Sequence, residues 1–183
     1  MNNKYIPIFL VLFFTSCTRD VTTISVVRNP LISAKIDTVN WAVNEYTFLP
    51  TTRVVEYPAD TNLPARLYNR YTLQASGKDS RGNNLQLTIV FDATDNQQLT
   101  GIYRPKYTAS RGLYTVQLYN LDNDRRASYT LCDTATSFFE IRKQSITDRL
   151  IAGSFSAVLC NDRSPANRLN ITNGIINDIN YRN

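Results

Sequence analysis

The sequence predicts an all-β fold, and three observations carry the prediction. From Leu31 onward the apolar residues alternate with period two, as half-buried strands require. The segments between these runs are short, polar and dense in turn formers. No internal stretch carries a helical stripe. Short turns imply antiparallel neighbours. The expected architecture is therefore an antiparallel β-sandwich or a meandering β-barrel, with a calycin-like barrel as the alternative, after an N-terminal signal segment.

The chain opens with Asn2, Asn3 and Lys4, continues through the apolar run Tyr5–Phe14, and reaches Thr15-Ser16-Cys17. This is the pattern of a secretory signal. Ten apolar residues make a helix of roughly 15 Å, against a bilayer core of roughly 30 Å, too short for a stable transmembrane anchor. Phe14-Thr15-Ser16-Cys17 resembles the lipobox of bacterial lipoproteins, with Phe14 where leucine is usual. The resemblance implies cleavage before Cys17 and acylation of that cysteine, the alternative being an ordinary signal peptide that happens to hold a cysteine. Several acyl chains, at about 0.8 kcal/mol per buried CH₂, would make the attachment effectively permanent.

The expected organisation is a lipoprotein signal peptide over 1–16, an acylated cysteine with a flexible tether over 17–30, and a single antiparallel β domain over 31–183. The mature chain is the size of one domain, enough to bury about 70% of its unfolded surface. The polar stretch from Thr18 to Asn29 has a root-mean-square span of roughly 20 Å. Thr18-Arg19-Asp20 lacks an acidic run of the kind that resembles surface-export signals, so the membrane face stays open.

The formal charge is +5, with arginine outnumbering lysine threefold and nowhere forming a basic block. Scattered charge of this kind is a solvated surface. Export argues against nucleic acid as a partner and leaves an anionic glycan or lipid headgroup. There is no histidine. That excludes Ser-His-Asp and Cys-His nucleophilic sites and His-bearing zinc sites. With Cys17 acylated, only Cys132 and Cys160 remain, too few for a cysteine metal site, and no cofactor is expected. The two can pair in an oxidising compartment. Against pairing, a simple meander sets one strand between them, roughly 10 Å apart and beyond disulfide reach.

In chain order, Ile32, Ala34 and Ile36 share one face, and Tyr71, Leu73 and Ala75 another. Leu85, Leu87, Ile89 and Phe91 follow, joined to 71–76 by the turn-rich Gly77–Asn84 as a long hairpin. Tyr114, Val116 and Leu118 alternate next, then Tyr129 and Leu131, then Phe139 and Ile141 as a separate strand beyond Asp133–Thr136. Ile151, Phe155, Ala157 and Leu159 make another strand. Asn173-Gly174 predicts a two-residue type I′ hairpin between Leu169–Thr172 and Ile175–Tyr181.

Ser33–Asp37 with Trp41, Gly101–Tyr103, Gly153–Phe155 and Ile171–Gly174 before a final strand together resemble an uncharacterised family of Bacteroidota lipoproteins, an all-β domain of unknown function. The resemblance spans most of 31–181 and rests on strand ends and turns. Thr38 stands where the pattern has glycine, and Ile175 where it has an aromatic. What it implies is a bacterial envelope setting, lipid-anchored at the outer membrane, with no activity or catalytic residue to carry over.

Candidate ligand-binding residues are Tyr68, Arg70 and Tyr71, with Tyr103, Arg104 and Tyr107. These combine aromatic faces with basic donors, as stacking on a sugar ring and bonding to its hydroxyls require. The competing reading takes the same alternation as the two sides of a half-buried strand. Trp41, the single tryptophan, reads as a core plug beside a turn. Asp122-Asn-Asp124 and Asp92-Ala-Thr-Asp95 carry oxygen ligands but lack the glycine and distal glutamate of a calcium loop, and turn chemistry explains them. Catalysis would need two carboxylates from among Asp37, Glu45, Glu56, Asp60, Asp92 and Glu140 at a hydrolase separation.

The function expected is thus a membrane-anchored, non-enzymatic envelope lipoprotein that binds a glycan or other small ligand. The alternatives are a structural component of an envelope protein assembly and a carboxylate-dependent hydrolase.

Overall fold

A computed structural model describes residues 29–56, 66–94, 98–105, 111–122 and 127–181. Among them there is no helix. Ten strands are present: β1 (Ile32–Ile36), β2 (Val39–Val43), β3 (Tyr46–Glu56), β4 (Arg66–Lys78), β5 (Asn84–Ala93), β6 (Gly101–Tyr103), β7 (Arg111–Asn120), β8 (Ala127–Ser145), β9 (Leu150–Asn161) and β10 (Arg168–Asn180). They form one antiparallel sheet in the order β2-β1-β10-β9-β8-β7-β5-β4-β3, with β6 paired to β8. The sheet curls until it nearly closes into a barrel.

Closure is the work of β2 and β3, which follow one another along the same line. β2 pairs with β1 on one side, and Trp41 bridges to Asp79 at the end of β4 on the other. Ser80 N donates to Asn40 O at 2.9 Å beside that bridge. Beyond Asn44 and Glu45 the chain continues as β3, paired with β4 from Tyr46↔Ala75 onward. Glycine is required at position 77 because β2 approaches so closely: a Cβ there would lie 2.2 Å from Val43 Cγ1. Trp41 is buried and donates from Nε1 to Gly77 O at 3.2 Å, so its one polar atom is satisfied in the core, as expected of a plug.

The interior is packed with side chains in cross-strand rows. Tyr71, Phe91 and Tyr114 stand level, then Leu73, Ile89 and Val116, then Ala75, Leu87 and Leu118, and last Gly77, Leu85 and Asn120. The bulk therefore shrinks from an aromatic end to an aliphatic end. Tyr71 stacks on Phe91 at 5.0 Å, and Phe91 meets Tyr103 and Phe139 at 4.9 Å each. Burying each ring contributes about 1.5–3 kcal/mol.

β6 plugs the aromatic end. β7 and β8 pair only over Gln117–Asn120 and Ala127–Thr130, then diverge, and β6 fills the wedge. Tyr103 Oη donates to Leu99 O at 2.7 Å, and Leu99 N donates to the Gln144 side chain at 2.7 Å. Gln144 in turn donates to Tyr181 Oη at 2.7 Å.

Two expectations need correction. The predicted break between Leu131 and Phe139 is absent, and β8 is one strand of 19 residues. Its register slips between Asp133↔Val158 and Phe138↔Ser156, so surplus residues bulge outward without reversing the chain. Ser137 Oγ pins the bulge, donating to Asp133 O at 2.6 Å and accepting from Val158 N at 3.1 Å. No strand intervenes between Cys132 and Cys160, and the two form a disulfide with Cα atoms 5.6 Å apart. The predicted hairpin at Asn173-Gly174 is also absent. Asn173 has φ 52°, but the residue sits in a bulge of the continuous strand β10. Glycine follows because a Cβ at 174 would lie 2.5 Å from Phe155 O.

Candidate functional site

The six residues nominated for ligand binding do not form one surface. Tyr71 and Tyr103 are fully buried in the aromatic cluster, and Tyr68, on the opposite face of β4 from Tyr71, is buried too. The strand period explains Tyr71, which shares a face with Leu73 and Ala75. Arg70 is held by Asp92, Nε to Oδ1 and Nη2 to Oδ2 at 2.9 Å each. Arg104 is exposed on the outer wall, where its carbonyl accepts from Tyr114 N. Tyr107 and Cys17 lie outside the described residues.

The carboxylates are equally dispersed. Asp92 is spent on Arg70, and Glu45 is exposed at the β2–β3 junction. Glu140 sits half-exposed on the outer face. A hydrogen bond from Arg142 lowers its pKa against the opposing effect of burial, helped by the arginine's charge and by Ser154. Asp60 lies outside the described residues. Asp122 accepts from the backbone and side-chain amides of Asn84, a long-range link from the end of β7 to the start of β5. Among the described residues no group of three His, Cys, Asp or Glu is placed to hold a metal ion.

What the fold does assemble is a mouth at the aliphatic end of the barrel. The last interior row ends in Gly77, Leu85 and Asn120, too small to cap the interior, and a concavity of about 260 Å³ remains. Ile36, Val39, Leu85, Leu118 and Leu169 form its floor, and Tyr129 of β8 one wall. The rim carries Asp37, Thr38, Asp79, Arg81 and Asn120.

Local turn chemistry holds this rim in place. Asp37 begins the two-residue turn between β1 and β2 with φ 52°, so the left-handed position falls on an aspartate and Thr38 needs no glycine. Its amide donates to Asn170 O at 2.7 Å, and its Oδ1 accepts from Asn170 N at 2.8 Å, which staples the turn to β10. Beside it, where β2 meets the end of β4, Asp79 Oδ1 accepts from Arg81 N at 2.8 Å and Asn83 N at 2.9 Å, while Oδ2 accepts from Asn83 Nδ2 at 2.8 Å. Burial alone would raise the Asp79 pKa. The Asn83 side chain, the two backbone donors and the Arg81 charge outweigh it and hold the carboxyl below its ordinary value. Asp79 is thereby committed to shaping the turn that presents the exposed Arg81. On the third side, Asn120 Oδ1 accepts from Asp122 N at 3.0 Å.

A second opening, about 280 Å³, lies on the flank between β3 and β10, lined by Tyr46, Thr47, Phe48 and Asn180. Asn180 N donates to Tyr46 Oη across it at 2.7 Å. This seam offers one short stretch of wall, whereas the mouth combines an apolar floor, an aromatic side and a polar rim.

No local pattern in the chain points to the mouth, whose lining comes from positions 36 to 169. The usable signal was that the turn-rich segments Asp37-Thr38, Asp79–Asn83 and Asn120-Leu-Asp122 all fall on the same side of an even alternation of strands. Compared with known proteins, the chain matches no family model, no curated protein and no solved structure.

Proposed function

We propose that this protein is a lipid-anchored, non-enzymatic binding module of the bacterial cell envelope, attached through an acylated Cys17, that captures a small ligand in the mouth of its barrel. One observation carries the reading: a ring of polar side chains from separate turns surrounds an apolar floor at the one interior row, among the described residues, too small to close itself. That combination is how ligand sites in barrel mouths are built. At about 260 Å³ the mouth falls just below the usual range for drug-sized ligands, so its occupant is one sugar ring or a molecule of similar size. Tyr129 offers an aromatic surface for stacking, and Asp37, Arg81 and Asn120 offer acceptors and donors for hydroxyls.

The test is a screen of the unacylated chain against neutral and acidic saccharides, read by calorimetry at low and high salt. The expected result is saturable binding that survives salt and weakens about tenfold in Tyr129→Ala, since losing a stacked ring is worth about 1.4 kcal/mol. Silence across the panel refutes the reading.

A second reading, a structural component of an envelope assembly, draws on β3, which ends the sheet and, among the described residues, pairs only with β4. An edge of this kind accepts a strand from another chain. Co-purification of one stoichiometric partner, lost when Thr52 is replaced by Pro, would favour it over the mouth.

A further inference from the structure

We propose that the end of the barrel opposite the mouth is a membrane-apposed face that rests on anionic lipid headgroups. The strand directions define the two ends. β3 runs toward the plugged end and β4 returns from it, while β8 arrives there and β9 leaves. Three of the most exposed large apolar side chains stand at this end. Val55 and Leu67 are cross-strand partners on the projecting β3–β4 ribbon, 54% and 52% exposed, and Ile146, 62% exposed, sits in the β8–β9 turn. Exposed cations accompany both: Arg53 on the same face of β3 as Val55, and Arg149 in the turn with Ile146. Apolar tips flanked by arginine are what an interfacial contact requires, since the tips enter the acyl boundary while the guanidinium groups stay among phosphates.

The path of the chain supplies the partner. Asn177 of β10 donates from its backbone to Leu31 O at 2.8 Å and from its side chain to Pro30 O at 2.9 Å. Asn29 therefore enters level with the last residues of β10, close to the plugged end. Cys17 lies twelve residues earlier in the sequence, and the tether expected there would reach roughly 20 Å. The direction of the face rests on the proposed acyl anchor. If the plugged end lies on the bilayer, the mouth points away from it, open to ligand.

The experiment uses residues Thr18–Asn183 without acyl chains, which keep every described residue, and measures co-flotation with vesicles of phosphatidylethanolamine and phosphatidylglycerol. Phosphatidylcholine vesicles serve as the neutral comparison. The expected result is salt-sensitive binding to the anionic vesicles alone. Ile146→Asp, and separately the pair Val55→Asp and Leu67→Asp, should each lower partitioning about tenfold, each removing an apolar insertion and adding a repelled charge. Leu121→Asp, 46% exposed at the mouth end, should leave it unchanged. Because Ile146 is in a turn, its variant tests the proposal even if the ribbon variant fails to fold. No binding to anionic vesicles, or equal loss in Leu121→Asp, overturns the proposal. Neither outcome touches the anchor, which is read separately from the mass of the mature N-terminus in cells.

Discussion

Replacing Cys132 and Cys160 together by serine tests the register of the longest strand pair. The disulfide closes a loop with a sequence separation of 28 residues. In the chain-entropy account, releasing that loop returns to the unfolded state about 12 cal/mol/K, or about 3.6 kcal/mol at 25 °C. The substitution adds little else, because Cys132 is exposed and Cys160 half-buried, so neither leaves a cavity. For a domain of this size the melting temperature should fall by roughly 7–14 °C. Urea unfolding of the oxidised wild type and the double variant gives the free energy directly, and the slope should rise as the unlinked chain exposes more surface. A loss below about 1 kcal/mol would refute the argument. Alkylation of both thiols in the folded, unreduced protein would refute the register itself.

Three further expectations follow from the packing. Arg70→Ala should cost more than Asp92→Asn, by direct comparison of urea midpoints: the first leaves a fully buried carboxylate without its ion pair, about 3–5 kcal/mol, whereas the second leaves an arginine that is 31% exposed and can turn to water. Gly153→Ala should be strongly destabilising, because its Cβ would lie 1.9 Å from the backbone oxygen of Glu140 in the adjacent strand; soluble, fully folded Gly153→Ala would contradict the β8–β9 pairing. Asp79 has its pKa held below the ordinary value, so its contribution to stability is complete above the unfolded value of about 3.9 and is lost as pH falls toward the folded one. Asp79→Asn should therefore flatten that part of the acid-unfolding curve, and a curve identical to wild type would count against the hydrogen-bonded turn.

The fold was legible wherever local pattern and final structure obey the same period. Tyr71, Leu73 and Ala75, and Leu85 through Phe91, alternate in the sequence and face inward in the barrel. The errors arose where a local turn signal was absorbed by a bulge. Asp133–Thr136 and Asn173-Gly174 both carry turn chemistry, but long neighbours paired on both flanks keep β8 and β10 running, so the surplus residues are extruded instead of reversing the chain. The Cys132–Cys160 pairing that the sequence allows does form, and only the objection from an intervening strand fails, because β8 runs unbroken. The candidate site was not legible. Tyr68, Tyr71 and Tyr103 suggested an exposed platform and are core residues, while Asp37, Arg81 and Tyr129 meet only because β2 closes onto β4, a contact with no local signature.

The account stands most directly on where a ligand touches the barrel. Backbone amide chemical shifts of the unacylated chain, followed while the strongest saccharide from the screen is titrated in, locate that contact residue by residue. The mouth should respond, with the largest changes at Asp37, Thr38, Arg81, Asn120 and Tyr129 and little at Val55, Leu67 or Ile146. Changes centred on Tyr46 and Phe48 at the flank, or on the plugged end, would contradict it.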